Sequence, residues 1–351
     1  MRDVAVVGFA QRQMRVFDGS PNCVELLVPI LGELWEQTGW TKQDIGFWCS
    51  GSSDYLAGRS FSFVTAIDAL GAVPPISESH VEMDGAWALY EAWLKIQTGE
   101  ADTAVVYGFG KSSASTLRRT LALQLDPYTL TPLWPDTVSL AGLQARLGLE
   151  QGAWDEKAMA EVVARSRTSA TSNEYAVRKG ETSIDDVLAR PLFADPLRTW
   201  DCAPVTDGAA AIVIAATDHL PASSERPAVI TGIAHSVDSP SLGLRDLVRS
   251  PSAAAAAAAA GGAHGVDVAE LHAPFSHQEL ILRSELGLDE DVSINPSGGA
   301  LASNPMFSAG LIRIGEAARR IWSGEADKAL AHATSGVALQ QNLVCVMEAQ
   351  A

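Results

Sequence analysis

At 351 residues, 47% of them hydrophobic and 19% charged, the chain carries enough apolar material for a large core and about two domains. Its formal charge of −17 comes without any run of Lys and Arg, which argues against a nucleic-acid-binding class. An anionic ligand would have to be met by a local basic patch, by helix N-termini or by a partner protein. Cys23, Cys49, Cys202 and Cys345 are far apart, with neither a CxxC pair nor metal-ligand spacing. That predicts reduced thiols and no metal site. The opening MRDVAVVGFAQ reads as a strand rather than a signal peptide. No apolar stretch approaches the roughly 20 residues of a membrane span, and the run Ala253–Ala260 is too short and too weakly hydrophobic. A cytoplasmic protein is expected.

In chain order, residues 3–9 predict a strand ending at Gly8, and apolar spacing (Val24, Leu27, Ile30, Leu31, Leu34) predicts a helix over 23–38 closed by Gly39. A strand over 45–49, the loop SGSSDYLAGR, a helix over 61–71, a strand over 80–83, a helix over 85–97 and a buried strand over 103–109 follow. Such alternation implies a mixed or parallel sheet with helices on both faces. Residues from about 110 to 200 hold Pro-punctuated loops and charged helices, and read as an inserted loop domain. Buried strand returns at DGAAAIVIAA, and 220–227 is a polar linker. The first pattern then recurs: strand 229–233, helix 252–260 capped by Gly261 and Gly262, strand 266–272, helix 278–287, the Gly-rich NPSGG, helix 308–323, and strands 328–332 and 343–348. Element order alone makes an internal duplication plausible, with halves 1–219 and 226–351.

Four segments carry a resemblance to a known family: EMDGAWALYEAWLKIQTGEADTAVVYGFG, DCAPVTDGAAAIVIA, ELHAPFSHQELI and NPSGGALASNPMFSAG. They resemble the thiolases, in particular the sterol-carrier-protein-type and lipid-transfer-protein thiolase-like branch. The resemblance implies an α/β thiolase fold: two similar βαβαβαββ halves in a five-layered α-β-α-β-α arrangement, with a loop domain inserted. It also implies a homodimer and a CoA thioester as substrate, with no cofactor bound by the chain. In the steroid side-chain aldolase relatives it implies a small OB-fold/zinc-ribbon, acyl-CoA-associated partner, giving a heterotetramer.

Carried over residue by residue, the nucleophilic cysteine of that family falls on Glu82 in Glu82-Met83-Asp84-Gly85. The histidine of the Gly-His-Pro block falls on Asn304, and the second catalytic cysteine on His332. The loop histidine of the branch is kept as His272. The expected catalytic set is therefore His332, His272, Glu82 and Asn304, with Asn295, Gly298, Gly299 and Asp84 lining the substrate. Each has a plainer reading beside it: Glu82 complements a helix dipole, Asn304 forms an Asn-Pro turn, and Gly298 and Gly299 permit close backbone approach. His277 reads as a surface or interface residue, and Cys49 and Cys202 as buried small hydrophobes.

Thiolysis needs a thiolate, because a soft nucleophile must hold the acyl group as a thioester. An acyl-Glu82 would be a mixed anhydride prone to hydrolysis. The other task of such a site is to stabilise the enolate of a CoA thioester with fixed donors, and a site that keeps only this task suits retro-aldol cleavage of a β-hydroxyacyl-CoA. Relatives of this aldolase kind use tyrosines in the second half, whereas this chain has no Tyr after Tyr175. Three functions stand open: a lyase on a bulky, sterol-side-chain acyl-CoA; a thiolase or acyltransferase with atypical residues; and a non-catalytic lipid- or acyl-CoA-binding subunit.

Overall fold

A computed structural model describes residues 2–15, 21–57, 60–71, 76–114 and 116–350. The first half runs β1 (Val4–Arg15), α1 (Cys23–Thr38), β2 (Phe47–Gly51), α2 (Asp54–Ala57), α3 (Ser62–Leu70), β3 (Glu78–Val81), α4 (Gly85–Gln97) and β4 (Thr103–Lys111). An insertion then adds α5 (Leu117–Leu123), α6 (Thr137–Gln151), α7 (Glu156–Ser169), α8 (Ile184–Leu188), β5 (Leu192–Ala194) and β6 (Leu197–Arg198), before β7 (Thr206–Ala216) rejoins the sheet. The second half runs β8 (Ala228–Val237), α9 (Pro251–Ala259), β9 (Val268–Leu271), α10 (Ser276–Glu285), β10 (Ser293–Ile294), α11 (Gly299–Ala302), α12 (Ala309–Trp322), β11 (Lys328–Ser335) and β12 (Gln341–Ala349).

The strand order is β10-β9-β11-β12-β8-β1-β7-β4-β2-β3. Numbered one to five within each half, the strands of both halves lie in the order 3-2-4-5-1. In both, 3-2 and 2-4 are parallel while 4-5 and 5-1 are antiparallel. The halves meet at β1 and β8, where Ala5 and Val6 pair with Val229 and Ala228. The duplication suggested by element order is thus present in the strand topology.

Alternation along the strands gives the sheet two apolar faces. One face of both halves buries α4 and α12 between them: Ala86, Leu89, Ala92 and Ile96 pack with Leu311, Ile314, Ala318 and Ile321. The other face is covered by α1 and α3 in the first half and by α9 and α10 in the second. Five layers result. Packing α4 and α12 between the two halves brings both of their N-termini into the interior, and there the polar groups of the site collect.

Boundaries moved where tertiary structure overrode local signals. Gly8 does not end the first strand: it sits at a register shift, and β1 continues to Arg15 beside β7. A side chain at Gly8 would crowd the Thr38 methyl, so the glycine serves packing against α1. Within SGSSDYLAGR the chain forms the short α2, and Gly58 and Arg59 lie outside the described residues. The insertion contains a small hairpin, β5–β6, as well as its helices. Among the described residues no helix is long and apolar enough to cross a membrane, and no cluster of His, Cys, Asp and Glu could hold a metal ion.

Candidate functional site

Asp84 ties the two central helices together. As N-cap of α4 it accepts from the Ala86 amide at 2.9 Å. It also accepts from Gly310 and Leu311, both at 3.0 Å, in the first turn of α12. Two helix N-termini therefore converge on one buried carboxylate, which suits their unpaired N–H groups and their dipoles. Burial raises the Asp84 pKa against the pull of these donors and of Arg313. Glu82, two residues earlier, is exposed and leans the other way. It accepts from the Asp54 amide at 3.2 Å and lies 3.6 Å from His80 Nε2, while His80 Nδ1 is 2.9 Å from Ser50 Oγ.

The segment 304–307 reaches the start of α4 across a stripe of glycines. A Cβ at Gly108 or Gly110 would strike the carbonyls of Phe307 or Met306, and one at Gly208 would strike Pro305. The approach is fixed by Gly85 N–H donating to Phe307 O at 2.9 Å and Asn304 N–H donating to Thr206 Oγ1 at 3.0 Å. The alternating glycines of YGFG and the DG of VTDGAAA were the readable signal of this close passage.

Asn304 meets His272, which follows β9 directly. His272 Nδ1 accepts from the Thr334 amide at 3.4 Å, and Nε2 is 2.9 Å from Asn304 Oδ1. Because a backbone N–H can only donate, Nδ1 is the acceptor nitrogen and Nε2 carries the proton of the neutral ring. Burial pushes the His272 pKa down to about 4, so the ring is neutral near pH 7. This bond orients the Asn304 amide, whose NH2 group meets no acceptor among the described residues. His272 thus meets Asn304 as a neutral ring.

Asn295, Ser297, Gly298 and Gly299 stand behind that pair. Asn295 Oδ1 accepts from the Leu271 amide at 2.6 Å, and its Nδ2 donates to Glu279 at 2.9 Å. Ser297 and Arg313 both donate to the buried Glu270, each at 2.7 Å. Gly298 and Gly299 have φ of 95° and 62°, and a Cβ on them would strike Ala170 and Asn295. Close backbone approach is the reason for both glycines. Their contacts are with the protein frame that positions the His272 loop.

The His332 ring and Ala333 point to opposite faces of β11, although the His332 backbone carbonyl accepts from the His272 amide at 3.2 Å and His272 opposes protonation of the His332 ring. Its neighbour Ala333 faces Asp84 and Gly310, so alternation turns His332 to the opposite face, with Leu330. There Nε2 donates to Asn342 Oδ1 at 2.9 Å, and Asn342 Nδ2 donates to Ser252 at 2.8 Å and to Leu339 O at 2.8 Å. Burial lowers the His332 pKa to about 3. His277, expected at a surface, is fully buried and 3.0 Å from Gln144 Oε1, joining α6 to α10. Sequence reasoning missed this role because a helical His shows no burial signal of its own. It also missed the double cap by Asp84, which needs the meeting of two helices 226 residues apart.

No thiol stands at the start of α4. Cys49 and Cys345 are packed in the central core, and Cys202 under the second half. Burial pushes the Cys202 and Cys345 thiols up to about 12 and Cys49 higher still. No disulfide joins the four cysteines.

A duplicated 3-2-4-5-1 sheet enclosing two buried helices, with an insertion after the fourth strand, defines a thiolase-fold protein. Solved structures agree. The Ltp2-ChsH2(DUF35) aldolase superposes with a TM-score of 0.80 at 17% identity over 99% of this chain and 98% of that one. Human mitochondrial 3-ketoacyl-CoA thiolase gives 0.79 at 17% identity over 99% of both chains. In sequence, the chain is 26% identical to sterol carrier protein 2 of Bos taurus over 332 residues, 82% of this chain and 61% of that protein. It is 25% identical to the acetyl-CoA acetyltransferase of Methanothermobacter thermautotrophicus over 93% of each. No protein-family model matches the chain. The chain thus has the thiolase fold, and in sequence it is similar both to sterol carrier protein 2 and to acetyl-CoA acetyltransferases.

Proposed function

We propose that the chain is an acyl-CoA enzyme that forms and protonates a thioester enolate without a covalent acyl intermediate: a carbon–carbon lyase acting on a bulky, sterol-side-chain β-hydroxyacyl-CoA. The observation that carries this reading is the Asn304 amide, held by a neutral His272 with its N–H groups free, beside a helix start that bears carboxylates and no thiol. In the reaction a base takes the β-hydroxyl proton, the Cα–Cβ bond breaks, and its electron pair passes to the thioester as an enolate. Asn304 donates to the enolate oxygen, and a proton returns to Cα. An aldehyde or ketone and a shortened acyl-CoA leave. Proton transfer falls to Asp84 or Glu82, the carboxylates at the start of α4. His332, turned into the outer layer, is a positioning residue for β11 and thereby for the Thr334 amide.

Support for the lyase over thiolysis comes from the burial of three of the thiols and from the aldolase among the solved structures of this fold. That neighbour's name joins an aldolase chain to a DUF35 partner, which supports pairing of this chain with a small OB-fold/zinc-ribbon protein. A homodimer would form along β3, one of the two end strands of the sheet, whose residues are half-buried and whose outer edge needs cover. One observation favours a second reading, a non-catalytic acyl-CoA-binding subunit: Asp84 already occupies the amides at both central helix starts.

The test is to supply a β-hydroxyacyl-CoA of sterol side-chain type to the chain with its partner, without added CoA. Release of acetyl- or propionyl-CoA with no mass adduct on the protein is expected, lost in either Asp84→Asn or Glu82→Gln. Release only when CoA is added, or an acyl adduct, overturns the lyase. Full activity of the complex with Asn304→Ala and Asp84→Asn leaves the subunit reading.

A further inference from the structure

A cleft far from Asp84 in sequence and lined by none of the site residues runs against the charge of the chain. About 710 Å³ opens between α7, α10, β10 and the last turns of α12. Arg165, Arg283 and Arg320 line it, with Thr168 and Ser169 adding hydroxyls, while the Ser172 hydroxyl donates to the Ser169 carbonyl at 3.2 Å. Residues 165, 168, 169 and 172 recur at helical spacing along α7 and into the turn that follows, which puts them on one face. The exposed Glu290 also lines the cleft.

The donors here are underused. Arg165 holds the buried Glu279, and Arg320 holds Glu325 at 2.7 Å. The Nε atoms of both are buried and meet no acceptor. The Arg283 side chain, half-buried on α10, has no ion pair or hydrogen bond among the described residues. Glu279 and Glu325 already compensate Arg165 and Arg320, so Arg283 is the guanidinium in the cleft left for an anion, with the Nε groups of Arg165 and Arg320 beside it. Planar guanidinium forks match the oxygens of a phosphate, and neighbouring hydroxyls complete its shell.

We propose that this cleft binds a phosphate dianion, free or as the phosphomonoester of a small ligand. It is independent of the reaction proposed above, since neither His272, Asn304 nor Asp84 lines it.

The experiment is a calorimetric titration of the full chain with inorganic phosphate and, separately, with adenosine 3′,5′-bisphosphate, against chloride of equal ionic strength. Saturable binding is expected, weakened about tenfold or more in R283Q/R320Q. The single variant R283Q removes a side chain without partners, so it keeps the wild-type melting temperature in chloride and still weakens binding several-fold. Tighter binding of the bisphosphate than of phosphate identifies a nucleotide as the source; equal binding identifies the free anion. No saturable binding of either probe, or equal affinity in wild type and R283Q/R320Q, overturns the proposal.

Discussion

The two halves share one strand plan but are filled differently, and the chemistry follows the filling. In the first half the helix α4 turns an apolar face (Ala86, Leu89, Ala92, Ile96) to the central layer, and its polar contribution there is its N-terminus, capped by Asp84. In the second half the equivalent helix α12 carries Arg313 and Glu316 into the interior. Arg313 meets Glu270 at 2.7 Å with both side chains nearly devoid of solvent, 3% and 0% exposed. Glu316 accepts from Gln11 of β1. Three fully interior histidines, His272, His277 and His332, belong to the second half, whereas His80 of the first sits at the sheet end. Duplication thus supplied two equivalent scaffolds. One presents a helix start, and the other is a polar frame that fixes loops against it.

The largest test of that contrast is Arg313→Leu. It strands the Glu270 carboxylate in the interior, and removing one partner of a buried pair costs about 3–5 kcal/mol. Chemical denaturation should show this loss. The double variant Arg313→Leu with Glu270→Gln should recover much of it, because no uncompensated charge remains. An Arg313→Leu protein as stable as wild type would mean that the frame does not depend on the pair.

Acid should act first on the second half. Burial holds the folded-state pKa of His277 near 3, below the ordinary value of about 6.5. Between these values only the unfolded chain is protonated. Stability from this residue is therefore complete above about pH 6.5 and is lost as pH falls towards the folded pKa. Asp84, Glu270 and Asp201, whose carboxyls burial raises, work in the opposite sense. Comparison with a variant isolates the histidine. In His277→Asn the slope of unfolding free energy against pH, between about pH 6 and 4.5, should fall by about 1.4 kcal/mol per pH unit. An unchanged slope would contradict the buried, neutral ring.

Much of this was legible in the sequence, because it rests on local signals. The helix over 85–97 and the glycine-closed helix over 23–38 follow from periodicity and caps, and the returning pattern after residue 228 announces the second half. The neighbourhood of His272 and Asn304 was legible through motif resemblance. Side-chain direction was not. His332 and Ala333 are adjacent in sequence and face opposite layers, and only the register of β11 between β9 and β12 decides which one meets Asp84. Likewise, Glu82 and Asp84 look interchangeable as letters. The contact with α12 separates a buried double cap from an exposed neighbour of His80.

The most direct test of the central claim, that a thiol-free donor site performs the chemistry, is the turnover of Asn304→Ala on a β-hydroxyacyl-CoA in the absence of added CoA. Loss of one oriented donor to an enolate predicts a kcat lower by about a hundredfold or more, with the melting temperature little changed. A kcat equal to that of the wild type would contradict the account.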